Sequence, residues 1–308
     1  MDLTATASME GKPSEKQIPA SRKWEVLNNP KFQYRYERKY RGTVKAVIFD
    51  WAGTIIDCGV FAPTKTFKKI FEAEGVAITD AEARGPMGLD KRMHIEKILQ
   101  NQNVKERWFE IHGDFHTKDD IDRMYASFVP TQKNLLPENS KIIDGVSATV
   151  RNLTNHYKLK IGSTTGYPTP ILQELLTAAS IQGFIPDSSV AADEVPRSRP
   201  CPHMIWLTAI RLDVHPIQAI IKVDDTIDGI REGLAAGCWT VGVTKTGNYM
   251  AATESELYTM ASKEYEQRLQ KAYDILSESG AHYLIDSVVD LPIIIDDINK
   301  RLSKGESP

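Results

Sequence analysis

The chain has 308 residues, with 38 Lys and Arg against 41 Asp and Glu for a net charge of −3, and 41% hydrophobic residues. This is the make-up of a globular protein of one large or two modest domains, and its overall charge gives no reason to expect nucleic acid or a membrane surface as partner. Three scattered cysteines, Cys58, Cys201 and Cys238, lack metal-ligand spacing and fit a reducing, cytoplasmic setting, while no apolar run approaches the roughly 18 residues that span a bilayer.

Taken in order, residues 1–45 hold ten Lys and Arg against five Asp and Glu, with basic and aromatic residues interleaved from Tyr34 to Arg41. Without a binding-domain pattern, 1–43 reads as a basic N-terminal extension and solvated arm. Val47-Ile48-Phe49 then runs into Asp50 and the turn Ala52-Gly53-Thr54. An apolar run of this kind predicts a buried strand that delivers a carboxylate at its C-terminal end, where open α/β sheets place their chemistry. Such a carboxylate can bind a hard cation or attack phosphorus.

From Pro63 to about Leu136 the spacing in Thr66–Ala73, His94–Leu99 and Ile121–Phe128 predicts helices, with no strand signal among them. Residues 63–137 therefore read as an all-helical cap inserted into an α/β core of 44–62 and 138–308. A loop, Arg84-Gly85-Pro86-Met87-Gly88-Leu89-Asp90-Lys91, joins the first two of these helical segments. From Ile142 the α/β alternation resumes. Strands are predicted at Leu159–Gly162 and Ala219–Val223, and helices at Gly145–Asn155, Thr169–Ser180, Met204–Leu212 and Gly229–Ala236. Ser163-Thr164-Thr165-Gly166 lies between a strand end and a helix start, a natural anion cradle. Val195–Pro202 presents Arg197 and Arg199, and the second strand ends in Asp224-Asp225-Thr226-Ile227-Asp228. Adjacent acids at a strand end are costly unless a cation neutralises them, so a divalent metal shared with Asp50 is the economical reading. A long helix is predicted over Ser255–Ser279, an edge strand at Tyr283–Ile285 and a closing helix at Leu291–Leu302.

The ordered set Asp50, Thr165, Arg199 and Asp225, with a helical insertion after the first, resembles the haloacid dehalogenase superfamily, which implies a Rossmann-like doubly wound parallel sheet. Ala52 stands where phosphatases of that superfamily carry a second aspartate as general acid. Within it, Asp50-Trp51-Ala52-Gly53-Thr54, Phe61-Ala62-Pro63, Pro86-Met87-Gly88-Leu89-Asp90-Lys91 and Gly162-Ser163-Thr164-Thr165-Gly166-Tyr167 resemble the phosphonoacetaldehyde hydrolase family over roughly residues 44–290.

That resemblance implies cleavage of a carbon–phosphorus bond. Lys91 would form an imine with the aldehyde and Asp50 would attack phosphorus. Thr165, Gly166 and Arg199 would hold phosphate, Met87 and His94 would lie near the lysine, and Mg2+ would sit among Asp50, the Ala52 carbonyl and Asp225. It also implies a homodimer built through the cap. One departure matters: the family pattern Gly-Asp-Thr-x-x-Asp reads here Asp224-Asp225-Thr226-Ile227-Asp228-Gly229. Either Asp224 or Asp228 would then substitute for the displaced acid, or the metal would bind more weakly. An ordinary phosphomonoesterase and a catalytically silent scaffold are the competing readings. Ala52 and Lys91 count against the first, and the joint presence of Asp50, Lys91, Thr165 and Arg199 against the second.

Overall fold

A computed structural model describes residues 39–308, and the expectation for the basic extension falls almost wholly outside them. Strand β1 (Ala46–Phe49) leads into five helices with no strand between them: α1 (Phe61–Ala73), α2 (Asp80–Arg84), α3 (Lys91–Gln100), α4 (Gln102–His112) and α5 (Lys118–Asn139). Then come α6 (Val146–Asn155), β2 (Lys160–Thr165), α7 (Thr169–Ile181), β3 (Ser188–Ala191), α8 (His203–Arg211), β4 (Ile220–Asp224), α9 (Ile227–Ala236) and β5 (Trp239–Val243). The chain closes with α10 (Glu254–Thr259), α11 (Ser262–Ser277), β6 (Tyr283–Ile285) and α12 (Leu291–Ser303). Among the described residues, no helix is long and apolar enough to cross a membrane.

All six strands pair in parallel, in the order β3-β2-β1-β4-β5-β6. Ala46, Val47, Ile48 and Phe49 are all buried, as a central parallel strand covered on both faces requires. The order runs outward from β1 in both directions, so the carboxyl ends of β1 and β4 flank the crevice at the topological switch point. Register completes the arrangement. Phe49 pairs with both Ser163 and Val223, so the next residues on the three strands, Asp50, Thr164 and Asp224, emerge side by side. Trp51 does not join them; its ring lies edge-on to Phe184 at 5.5 Å, in the core.

The two crossings between core and helical insertion are tied together. Ile56 bridges Ile142, and Ile143 N–H bonds to the Ile55 carbonyl at 2.9 Å. Asp57, buried at this crossing, accepts bonds from Phe61 N at 3.0 Å and Ala62 N at 2.9 Å, so its carboxylate caps α1. Inside the insertion, Gln132 of α5 links the Thr66 hydroxyl (2.7 Å) to the Tyr167 hydroxyl of the core (3.2 Å).

Several expectations need correction. β3 was unforeseen because Ser188-Ser189-Val190-Ala191 has a single β-branched residue. The short α2 and the separate α4 were also missed, and the expected long helix over Ser255–Ser279 is two, α10 and α11, parted at Met260–Ala261 without a Gly or Pro to mark the break. β2 begins at Lys160 and runs on to Thr165, which places the Ser-Thr-Thr run inside the strand instead of in a loop after it. The crossover helix α5 continues through Pro130 and Pro137.

Candidate active site

Asp50, 6% exposed, heads the crevice. Its Oδ1 accepts a bond at 2.7 Å from Arg199 Nη2, and that guanidinium group also reaches Asp224 Oδ2 at 3.2 Å, Glu232 Oε2 at 3.0 Å and the Thr164 carbonyl at 3.1 Å. Lys222, unexposed on the central strand β4, lies 3.0 Å from Asp224 Oδ2 and donates to Thr164 Oγ1 at 2.7 Å. Three acids thus share two bases in a buried network, where any one left alone would be expensive. Burial and the neighbouring Asp224 push the Asp50 carboxyl up to about 6, against the pull of Arg199 and Lys222.

Asp225 stands outside this network of ion pairs. Its Oδ2 accepts from Asn248 N at 2.7 Å, but its Oδ1 is buried without a hydrogen-bond partner among the described residues. Burial, Asp50 and Asp224 raise its carboxyl well above the ordinary range. One oxygen from each of Asp50, Asp224 and Asp225 lies within 4.8 Å of the others. An orphaned buried oxygen in an all-oxygen acidic cluster fits a hard divalent cation. Ala52 lines the same cavity as Asp50 and Asp225.

The insertion supplies the other wall. Its loop Pro86–Asp90 reaches over the carboxyl ends of the strands, and α3 opens with Lys91 as its first residue, capped by Asp90 through Met93 N at 3.0 Å. The expected loop lysine is therefore a rigid helix-start lysine. The loop approaches the core so closely that a Cβ on Gly166 would meet the Leu89 carbonyl oxygen at 2.5 Å, so only glycine fits there. Lys91 is buried, its Nζ 4.7 Å from the centre of the Tyr167 ring and 5.9 Å from that of Phe67. Burial lowers its ammonium to about 8, with Asp50 opposing and Arg199 assisting.

Asp50, Ala52, Met87, Lys91, Thr165, Gly166, Arg199 and Asp225 all border one small cavity of about 20 Å³, room for about one water. Thr165 Oγ1 accepts from Tyr167 N at 3.1 Å, which fixes the turn at the cavity wall. His94 does not border the cavity. It is unexposed, stacked on Phe67 at 3.8 Å between ring centres and bonded through Nε2 to the Ala83 carbonyl at 2.8 Å. Burial and the nearby Lys91 depress its imidazole well below the ordinary range, so it is neutral. A wider cleft of about 460 Å³, bordered by Lys91, Tyr125, Gly166, Arg199 and Cys201, adjoins it.

Sequence reasoning passed over four residues that organise this region. Lys222 and Glu232 gave no signal beyond a basic residue in an apolar strand and an acid in a helix. Arg84 sits at the end of α2, where its Nη1 bonds to the Gly59 carbonyl at 2.6 Å and the Asn248 carbonyl at 3.3 Å. Asn248, whose backbone also holds Asp225, thus links the cap to the acidic cluster.

The model of the haloacid dehalogenase-like hydrolase family matches residues 44–237. The phosphonoacetaldehyde hydrolase of Hahella chejuensis is 42% identical over 275 residues, 89% of this chain and 93% of that protein. That of Syntrophobacter fumaroxidans is 40% identical over 88% of this chain and 98% of its own. The crystal structure of a phosphonoacetaldehyde hydrolase-like protein from Oleispira antarctica superimposes with a TM-score of 0.85 at 41% identity, covering 87% of this chain and 97% of that one. A β-phosphoglucomutase from Clostridium difficile, 21% identical with a TM-score of 0.62, shares the fold.

Proposed function

The chain belongs to the phosphonoacetaldehyde hydrolases of the haloacid dehalogenase-like family, and from that membership we propose that it hydrolyses the carbon–phosphorus bond of phosphonoacetaldehyde to acetaldehyde and phosphate. The observation that carries this reading is the burial of Lys91 from the cap in the same small cavity as Asp50 and Arg199, with alanine at position 52.

Attack on phosphorus alone would expel a carbanion, a very poor leaving group. Condensation of neutral Lys91 Nζ with the aldehyde carbon releases water and gives an imine, whose protonated form accepts the electron pair of the breaking bond. Asp50 attacks phosphorus, the carbon–phosphorus pair moves into an enamine, and an acyl-phosphate remains on Asp50. Water then hydrolyses that acyl-phosphate. Proton return to the enamine carbon, followed by hydrolysis of the imine, frees acetaldehyde and Lys91. No acid two residues after Asp50 is needed, because no alkoxide leaves.

Arg199 already touches Asp50, so it is placed to neutralise phosphate oxygens as the phosphorus group arrives, with Thr165 and the Gly166 backbone beside it. Asp50, the Ala52 carbonyl and Asp225 would hold Mg2+, which offsets negative charge between nucleophile and phosphonate. Met87 borders the cavity together with Lys91, and His94 stacks on Phe67, the ring that also faces Lys91. The cavity of about 20 Å³ shares Lys91, Gly166 and Arg199 with the neighbouring cleft of about 460 Å³, which gives the substrate a way to the lysine. Assembly of two copies through the cap is part of this reading, and on the cap Phe109 and Phe115, both exposed, pack their rings 5.2 Å apart.

The test is borohydride reduction in the presence of phosphonoacetaldehyde and Mg2+, with peptide mass mapping and parallel phosphate assay. An adduct on Lys91, and phosphate release that disappears in Lys91→Arg, support the mechanism. Phosphate release from sugar phosphates without an adduct would support the phosphomonoesterase reading instead.

A further inference from the structure

Glu232 sits unexposed on α9 and borders neither the small cavity nor the wider cleft beside it. Gly233 next to it lets the helix lie against the sheet, since a Cβ there would meet Thr240 Cγ2 at 2.5 Å and Lys222 Cβ at 2.9 Å. One carboxylate oxygen carries the polar contacts. Glu232 Oε2 accepts from Arg199 Nε at 3.0 Å and from the Thr164 hydroxyl at 3.4 Å, and lies 3.6 Å from Lys222 Nζ. The other oxygen, Oε1, is buried without a hydrogen-bond partner among the described residues. A buried acid with an orphaned oxygen is expensive, and a position that needed only volume would be filled better by an apolar side chain.

The group that Glu232 holds gives the reason. Arg199 reaches Asp50 through Nη2 at 2.7 Å, while its Nε donates to Glu232. In the mechanism proposed above, on which this inference rests, the Asp50 carboxylate loses its charge as its oxygen bonds to phosphorus. Nη2 then passes from Asp50 to the phosphoryl oxygens, whereas the bond from Nε to Glu232 lies away from the cavity and stays as it is. The Thr164 hydroxyl braces the arrangement, donating to Glu232 while accepting from Arg199 Nη2 at 3.1 Å and from Lys222 Nζ at 2.7 Å. We propose that Glu232 is the positioning residue for Arg199: it fixes the guanidinium by Nε, so that Nη2 stays aimed at phosphorus oxygens once Asp50 is no longer an anion. Without Glu232, Arg199 keeps Asp50 and Asp224 as partners, so the fold is retained and the aim is lost.

Glu232→Gln keeps the size and removes the charge, and thermal melting confirms that it folds. Nitrogen-15 NMR of the arginine Nε–H groups, with the Arg199 signal assigned by its loss in Arg199→Lys, reads the bond directly. Exchange of that proton with water is expected to be at least about tenfold faster in Glu232→Gln. The kcat for phosphate release from phosphonoacetaldehyde is expected to fall at least about tenfold, and by more than KM rises. Reductive trapping of Lys91 by acetaldehyde, which carries no phosphorus, should stay within about twofold of the parent. Unchanged Nε–H exchange or an unchanged kcat would overturn the proposal. So would an equal loss of trapping and of phosphate release, the mark of a general disturbance. Should Glu232→Gln fail to fold, Glu232→Asp, which withdraws the charge by one methylene, is measured in its place with the same expectations and the same refutations. A parent that releases no phosphate from phosphonoacetaldehyde would refute the proposed function, and the Nε–H exchange would then decide the role of Glu232 by itself.

Discussion

Imine chemistry at Lys91 depends on the neutral amine, and burial raises the share of it. At an ordinary 10.5 about 0.03% of the lysine is neutral at pH 7, whereas at about 8 roughly 10% is, a gain of about 300-fold. Reductive trapping with acetaldehyde and cyanoborohydride in EDTA, quantified on the Lys91 peptide, should therefore rise about tenfold per pH unit up to about 8 and then level off. Among the neighbouring charges, Asp50 is the main one holding the proton on, and Arg199 works the other way. Asp50→Asn should move the trapping midpoint below that of the parent while abolishing phosphate release. Added Mg2+ should move it in the same direction, since it adds positive charge. A midpoint near 10 in the parent, or an upward shift in Asp50→Asn, would refute the account of burial and charge given above.

If the acidic cluster holds Mg2+ as proposed, EDTA should stop phosphate release yet preserve the Lys91 adduct, because the amine and the carboxylate cluster act on different bonds; parallel trapping and phosphate assays check this. Replacing Arg199 by Met should cost about 3–5 kcal/mol, since Asp50, Asp224 and Glu232 lose their shared partner; denaturant unfolding measures it. Asp57→Ala removes the cap of α1 at the core–cap crossing and should lower stability by about 1–2 kcal/mol, read from the same unfolding curves. Arg84→Ala breaks the bonds to Gly59 and Asn248 that hold the cap down, so KM and kcat should both worsen, with faster exchange of the amides in the Pro86–Asp90 loop.

The sequence by itself determined the parts whose information is local. Val47-Ile48-Phe49-Asp50 announces a buried strand that ends in a carboxylate because burial on both faces demands a continuous apolar run. The chemistry followed from residue types in order, including the telling Ala52 and the lysine at the end of a Gly-Pro-Met-Gly loop. Elements with weak local signals were lost: β3 is made a strand by pairing with β2, and the tail helix divides without a breaker.

Tertiary structure alone decided what the residues feel. Lys91 holds its proton less tightly only because the cap carries it into a buried site, and Arg199 faces Asp50 across 149 positions of chain. Lys222 and Glu232 join the buried charge network from residues that look ordinary in sequence. Asp224 and Gly229 stand five positions apart along the chain, yet a Cβ on Gly229 would fall within the Asp224 carboxyl group. The reason is common to all: a local pattern records which face is buried, while charge and volume balance are sums over neighbours that only folding assembles.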